Sequence, residues 1–282
     1  MKKYLFILSV LLISFSCWHE TKVGSKRTAP IRQKPKTTVT YHFEKTKDWL
    51  AATTDSAQIK IALALNRTDK KNIVKMDSIM VASDMTGDIA YYLPFPLQLP
   101  SLSEVPKIIF FSYATQTFGA YEYGELVRTG PTNMGRKSDQ TPTGLFFTNW
   151  KAEKTTSTFN DEWDLRWNFN IANKLGVGWH QYELPGYPAS HSCLRLQESD
   201  AKYLYNWADQ WVLKDEQNVL VKGTPVIVFG HYDFGAPKPW YQVVRNPKAL
   251  DITAAAIQKQ TTPFWAVIIS QQRNRERYEA KP

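Results

Sequence analysis

Short apolar segments separated by turn residues dominate the middle of this 282-residue chain. The segments 107–113 and 119–127 are rich in β-branched and aromatic residues, and a Thr/Gln turn separates them. A further segment of this kind lies at 145–148, and 223–229 is an apolar run of strand length. Such a series predicts a mainly β domain with buried strands, which we place at 106–232.

One stretch inside this domain has helical rather than strand periodicity. Apolar residues recur at i, i+3, i+4, i+7 and i+8 from Leu204 to Val212, and Ser199 and Asp200 are available as caps. The sequence therefore predicts one amphipathic helix in the β-rich domain.

The amino terminus has the pattern of a signal peptide. Lys2 and Lys3 precede the apolar run 4–13, which is too short to remain as a membrane span. Ser16 followed by Cys17 resembles a bacterial lipobox, so residues 1–16 are predicted to be removed and Cys17 to be lipidated. An ordinary cleaved signal with an incidental cysteine is the alternative. The predicted location is the periplasm, with a lipid anchor in a membrane that we expect to be the outer one.

The charge balance narrows the choice of partners. The chain carries 35 Lys and Arg against 26 Asp and Glu, a formal net charge of +9, which favours contact with a polyanion. Export excludes nucleic acid and leaves anionic lipid or the acidic cell wall. Basic residues, together with Pro30 and Pro35, are concentrated in 18–40, where there is no apolar periodicity. Residues 17–45 are therefore predicted to be a lipidated, solvated basic tether.

Two smaller regions flank the β-rich domain. Residues 46–105 are predicted to form a small α+β domain, with a helix at 59–67 and a strand at 73–81. This region resembles the second half of a LysM module, and an unrelated spacer is an equal alternative. Residues 233–282 are predicted to be a C-terminal extension whose apolar hexad, 264–269, packs on the domain as a strand or helix.

A lone thiol carries the strongest chemical signal. If Cys17 is lipidated, Cys193 is the one remaining cysteine, and it is inert, paired with another chain, or reactive. His180 and His191 precede it, with Pro, Gly and Ser between them, which is typical of a surface loop. A thiol with a pKa of about 8.5 needs a neighbouring imidazole to take its proton at neutral pH. A cysteine nucleophile with a histidine base is favoured over zinc binding, for which no fourth ligand is close in sequence.

These residues resemble the catalytic signature of the YkuD L,D-transpeptidases. That signature is a histidine, a variable loop, Ser/Thr-His-Gly-Cys, an aliphatic residue, and Asn or Arg. The matching positions are His180, Ser190, His191, Cys193, Leu194 and Arg195.

Three further parts of the chain extend the resemblance. Residues 129–146 contain Thr-Gly and then Gln-Thr-Pro-Thr-Gly-Leu-Phe, similar to the family's loop and Thr-Pro-x-Gly-x-Phe strand. Residues 200–211 and 223–226 are similar to its closing helix and strand. Ser192 stands where the family has glycine, so the resemblance implies a turn that serine adopts only at a cost. The implied fold is a mainly β catalytic domain with one amphipathic helix, preceded by the small α+β domain.

The resemblance implies acyl transfer on peptidoglycan stem peptides. The Cys193 thiolate would attack the carbonyl that joins the diamino acid to the terminal D-Ala, giving a thioester and free D-Ala. An amine of a neighbouring stem would then form a 3→3 cross-link, whereas water would make the enzyme an L,D-carboxypeptidase. No cofactor or metal is implied.

The same resemblance assigns roles to the residues around the thiol. His180 is the base, and His191 steadies the substrate or the pocket, although the two roles could be exchanged. Ser190 and Ser192 are placed with the oxyanion and substrate group, and the backbone N–H groups of Ser192 and Cys193 would hold the oxyanion. Arg195 orders the loop or pairs with a substrate carboxylate.

Two rival functions follow from the same residues. A non-catalytic peptidoglycan-binding lipoprotein is one, if serine at position 192 prevents turnover. A cysteine peptidase of the NlpC type is the other, but in those enzymes the cysteine precedes the histidine, which is the reverse of the order found here.

Overall fold

The computed structural model describes residues 30–156 and 164–281. The predicted signal peptide, Cys17 and the first part of the predicted tether lie outside these ranges. The strands are β1 (Tyr41–Lys45), β2 (Ser78–Ala82), β3 (Ile108–Ser112), β4 (Thr117–Glu122), β5 (Glu125–Asn133), β6 (Gly144–Phe147), β7 (Lys151–Thr156), β8 (Asp164–Ala172), β9 (Val177–Gln181), β10 (Leu194–Leu196), β11 (Val212–Leu213), β12 (Val219–Val221) and β13 (Pro225–Phe229). The α-helices are α1 (Thr46–Ala52), α2 (Ser56–Leu65), α3 (Lys70–Ile73), α4 (Glu198–Trp207), α5 (Ala254–Thr261) and α6 (Trp265–Glu279).

Nine strands form one mixed sheet in the order β6-β13-β3-β4-β5-β10-β9-β8-β7. The pairs β13–β3 and β10–β9 are parallel, and the other neighbours are antiparallel. The prediction of a mainly β fold is confirmed. The parallel pair β9–β10 matters most for function, because it brings the segment after Val177 beside the segment after Cys193.

The central strands are buried on both faces. In β3, Ile109 and Phe111 belong to a core that α4 covers, whereas Ile108 and Phe110 belong to a second core on the opposite face. Alternate residues of a strand point to opposite faces, so a strand covered on both sides reads as an unbroken apolar run. Helices α5 and α6 cover the second face with Ile257 and Ile268.

The C-terminal hexad 264–269 therefore packs on the domain as part of a helix, α6, which is one of the two forms predicted. No helix among residues 30–156 and 164–281 has the length and apolar character that a membrane crossing requires.

The structure differs from the sequence prediction at two elements of the β-rich domain. Segment 119–127 is a hairpin rather than one strand, because Tyr123 and Gly124 both adopt positive φ, as a two-residue hairpin turn requires. Helix α4 ends at Trp207, so it does not include Val212, which lies in β11.

Hydrogen bonds to two threonines explain why α4 ends early. The backbone N–H of Asp209 donates to Thr224 Oγ1 at 2.9 Å, and Thr148 Oγ1 donates to the Asp209 carbonyl at 2.5 Å. These contacts hold the chain against the end of the sheet, where a further helical turn cannot form.

Residues 41–82 form a unit in which β1 and β2 pair antiparallel and α1, α2 and the four-residue α3 lie between them in sequence. We call it the βααβ unit, after its two longer helices. Strand β1 was missed, because its side chains are mostly exposed and carry little apolar signal. Ile73 ends α3, so β2 begins later than predicted, at Ser78. The LysM-like assignment stays a prediction.

A buried arginine joins the βααβ unit to the large sheet. Arg67 is 2% exposed, and its Nε donates to the carbonyl of Thr115, in the turn between β3 and β4, at 2.7 Å. Its Nη1 donates to the Ala64 carbonyl at 2.6 Å, and its guanidinium lies 5.4 Å from the ring centroid of Trp240. The end of α2 is therefore fixed against the domain that carries the thiol.

Candidate active site

His180 lies on β9 and is 3% exposed. Its Nδ1 is 3.0 Å from the carbonyl oxygen of Gln181. Because a carbonyl can only accept, Nδ1 carries the proton in the neutral ring, and Nε2 is left as the basic nitrogen. Burial lowers the pKa of His180 to about 4, so the ring is neutral at physiological pH. The predicted base is thus held in the tautomer that can accept a proton.

Cys193 comes one residue before β10 and is partly buried. In the parallel pairing Leu194 is opposite Trp179 and Arg195 is opposite His180, so the thiol lies just before the strand next to that of His180, two residues away in register. The thiol lies 3.8 Å from the carbonyl of Gly176, and the backbone N–H of Gly178 donates to the sulfur.

Burial raises the pKa of the Cys193 thiol, while the Gly178 N–H and the charge of Arg195 lower it. The resting pair is therefore a neutral thiol and a neutral imidazole, not a thiolate–imidazolium ion pair. Proton transfer to His180 must accompany attack on a substrate.

We expect iodoacetamide to alkylate Cys193 slowly at neutral pH and faster at every step from about pH 7 to about pH 10, because the thiolate is the reactive form and its pKa is raised. No inflection is expected near the usual histidine pKa, since His180 stays neutral above about pH 4. Mass spectrometry of the alkylated Cys193 peptide measures the rate. Rapid, pH-independent labelling from about pH 6 would instead indicate a preformed ion pair.

Residues 134–143, which we call the supporting loop, are hydrogen-bonded to residues 190–193, which we call the nucleophile loop. Thr141 Oγ1 accepts a hydrogen bond from the N–H of Gly135 and donates to the carbonyl of Ser192, each at 2.9 Å. Gly135 has no room for a side chain, because a Cβ there would lie 2.1 Å from the Asp139 carbonyl oxygen. Ser190, which is fully buried, donates through its hydroxyl to the carbonyl of Cys193 at 2.5 Å. These bonds fix the backbone on both sides of the sulfur.

Ser190 has a structural contact that the sequence did not indicate. Its fully buried hydroxyl donates to the Cys193 carbonyl, so Ser190 positions the nucleophile loop. Its place in the oxyanion and substrate group stays a prediction.

Ser192 has the left-handed backbone that the glycine comparison implies, with φ of 80°. Its hydroxyl donates to the carbonyl of Asp139 at 3.1 Å. A left-handed conformation costs a non-glycine residue about 1 kcal/mol. A hydrogen bond between neutral groups stabilises the folded state by about the same amount. The serine thus ties the nucleophile loop to the supporting loop, and this bond offsets the backbone cost.

Substitution of Ser192 separates these two contributions. We expect Ser192→Ala to lower the free energy of unfolding by about 1 kcal/mol, because it loses the hydroxyl but keeps the left-handed backbone. Ser192→Gly loses the same hydroxyl and also relieves the backbone cost, so its stability should be close to wild type. Urea denaturation of the three proteins measures both effects. Equal losses in the two variants would show that the φ value carries no strain.

Arg195 is 8% exposed and lies beside the thiol, where its charge lowers the pKa of Cys193. Its guanidinium carbon is 4.5 Å from the ring centroid of Tyr182. Within the described part of the chain, no carboxylate lies within ion-pair distance of this guanidinium. A largely buried arginine without a carboxylate partner can receive a carboxylate from a ligand.

His191 is half-buried and lies two residues before Cys193. Burial and the charges of Arg136 and Arg195 lower its pKa, and Asp139 raises it. His191 therefore lies close enough to Asp139, Arg136 and Arg195 to feel their charges. Among residues 30–156 and 164–281, no three His, Cys, Asp or Glu side chains are grouped so that they could hold a metal ion.

Sequence reasoning overlooked the residues that support the loop. Thr141 and Gly135 belong to the segment around the Thr-Pro-x-Gly strand, and the Thr-Pro pair was the available signal. Trp167, Phe169 and Trp179 are buried in the core of the domain.

Comparison with known proteins agrees with this geometry. Residues 106–228 match the YkuD family model, described as the L,D-transpeptidase catalytic domain. No curated protein matches the chain.

Several solved L,D-transpeptidase structures are similar to this chain over part of their length. The enzyme from Stackebrandtia nassauensis is 24% identical over 45% of this chain and 57% of its own, with a TM-score of 0.37. One from Mycobacterium tuberculosis is 21% identical over 45% and 58%, with a TM-score of 0.36. One from Enterococcus faecium is 24% identical over 44% and 50%, with a TM-score of 0.35. The chain thus spans less than two thirds of the length of each of these proteins.

The family match covers the strand that carries His180, the supporting loop and the segment with Cys193 and Arg195. It confirms the resemblance found in the sequence motifs. Residues 106–228 are thus similar to the L,D-transpeptidase catalytic domain of the YkuD family.

Proposed function

We propose that this protein is an L,D-transpeptidase that acts on peptidoglycan stem peptides through a thioester on Cys193. The observation that supports this most is the placement of a neutral, oriented His180 on the strand next to Cys193, inside the segment matched to the family. Arg195, which has no carboxylate partner among residues 30–156 and 164–281, adds a binding group for a carboxylate near the thiol.

In the first half of the reaction the thiol proton moves to His180 Nε2, and the sulfur attacks the carbonyl carbon that joins the diamino acid to the terminal D-Ala. The C–N bond breaks, and the leaving amine takes the proton from the imidazolium. Backbone N–H groups of Ser192 and Cys193 are the proposed donors to the oxyanion, and the left-handed turn at Ser192 sets the direction of these groups.

In the second half the amine of a neighbouring stem attacks the thioester and passes its proton to His180. The C–S bond breaks, and the imidazolium returns the proton to the Cys193 sulfur, which restores the neutral pair. The new amide is a 3→3 cross-link. Arg195 is the proposed partner of the D-Ala carboxylate in the first half, because its charge acts on Cys193 and no carboxylate among the described residues pairs with it.

The test uses purified disaccharide-tetrapeptide and the protein without its first 16 residues. Mass spectrometry should show release of D-Ala together with cross-linked dimers joined through the diamino acids. Tripeptide products without dimers would identify water as the acceptor, and hence an L,D-carboxypeptidase. An unchanged substrate would favour the non-catalytic peptidoglycan-binding alternative.

The proposed location is the periplasm, with lipid on Cys17 as the anchor. We expect Cys17→Ala to move the full-length protein from the membrane fraction to the soluble fraction and to leave D-Ala release intact, since the charged residues after Cys17 alone hold a protein weakly. Labelled fatty acid should appear on the wild type and not on the variant. A variant that still sediments with membranes after a high-salt wash would contradict the anchor.

A further inference from the structure

The loop that leads from the base to the nucleophile is held by the βααβ unit. Thr68 Oγ1 donates to the carbonyl of Leu184 at 3.0 Å, and Asp69 Oδ2 accepts from the Leu184 N–H at 2.6 Å. Lys71 forms an ion pair with Glu183. Both backbone groups of Leu184, which is fully buried, thus find their partners outside the catalytic segment.

The Asp69 carboxylate accepts hydrogen bonds from two separate parts of the fold. Its Oδ1 accepts from the N–H groups of Lys71 and Asn72, each at 2.8 Å, which caps α3. Its Oδ2 accepts from the Leu184 N–H. A single side chain therefore joins the start of α3 to residues 182–193, the loop between β9 and β10, which we call the catalytic loop. Movement of α3 therefore moves the loop.

Tyr182 links the contact at Leu184 to the proposed active-site residues. It is two residues before Leu184, and its ring meets the His180 ring edge-on with centroids 5.8 Å apart. The guanidinium carbon of Arg195 lies 4.5 Å from the same Tyr182 ring. The contact with Leu184 therefore fixes a side chain that contacts both the proposed base and the arginine near the thiol.

We infer that Asp69 is a positioning residue of the active site: by holding Leu184 it fixes Tyr182, and thereby keeps Arg195 close to Cys193. The βααβ unit is then required for the catalytic geometry in addition to any binding role. The expected effect on D-Ala release rests on the proposed function, whereas the expected effect on the alkylation of Cys193 does not.

Asp69→Asn tests this with little disturbance of the helix. Its amide oxygen can keep the α3 cap, but its NH₂ group then faces the Leu184 N–H, where two donors cannot pair. Asp55→Asn is the matched control, because Asp55 caps α2 by accepting from Ala57 at 2.7 Å and has no contact with the catalytic loop. Thr68→Val provides a second variant, which removes the other bond to Leu184 and leaves the α3 cap untouched.

The first readout is the pH profile of Cys193 alkylation by iodoacetamide. The charge of Arg195 favours the thiolate, so loosening Arg195 should move the profile of Asp69→Asn and of Thr68→Val to higher pH. The second readout is D-Ala release, for which we expect kcat/KM to fall about tenfold in both variants. Asp55→Asn should match the wild type in both readouts, and it should change thermal stability little, because Asn caps a helix about as well as Asp.

Wild-type alkylation profiles in both Asp69→Asn and Thr68→Val would overturn the inference, as would an equal shift in Asp55→Asn. If no protein releases D-Ala but the alkylation profiles still shift as expected, the positioning role stands and the proposed function fails.

Discussion

Cys193→Ser is expected to fold as the wild type does and to lose D-Ala release by about three orders of magnitude or more. The serine hydroxyl fits the same space, but His180, neutral and buried, is too weak a base to ionise an alcohol in a site arranged for a thiol. The measurement is steady-state D-Ala release at saturating tetrapeptide, with thermal unfolding to show that the fold is intact.

His180→Ala should lose nearly as much, and the double variant should be little worse than either single one, because residues that act in one step are not additive. Arg166→Ala is a suitable control, since this residue lies on the neighbouring strand β8 and is exposed. Equal, modest losses in Cys193→Ser and His180→Ala, with normal unfolding, would assign both residues a structural role.

Thr141→Val is the second substitution with a large expected effect. It keeps the shape of the side chain but leaves the Gly135 N–H and the Ser192 carbonyl without their buried partner. We expect a loss of about 2–3 kcal/mol in the free energy of unfolding, for two unmet backbone groups. We also expect a fall of about a hundredfold in D-Ala release, because the turn that aims the Ser192 and Cys193 N–H groups loosens.

Thr143→Val is the matched control, because Thr143 is exposed two residues further along the same loop. Its activity and stability should equal those of the wild type. If Thr141→Val is destabilised but turns over normally, the supporting loop contributes to folding and not to the geometry around the sulfur.

The sequence predicted the fold class and the order of the site residues, since both depend on local patterns. Apolar runs such as 107–113 mark strands that are buried on both faces, and the His180 to Arg195 motif carries its chemistry in residue types. The left-handed turn at Ser192 was also predictable, because a glycine position in the family indicates a special φ.

Features that depend on contacts distant in the sequence were not predictable. The end of α4 is set by Thr148 and Thr224, far from the helix in sequence. The role of Thr141 depends on a carbonyl at Ser192, and that of Asp69 on an N–H at Leu184. Such residues look like ordinary turn or cap residues until the fold brings their partners to them.

The central claim, that Cys193 carries the acyl group, is tested most directly by the intact mass of the protein during turnover. After rapid acid quenching with disaccharide-tetrapeptide, the account predicts a species heavier than the free protein by the mass of the substrate less D-Ala, mapped to Cys193 and absent in Cys193→Ser. A protein that releases D-Ala without this species, or carries it on another residue, would contradict the account.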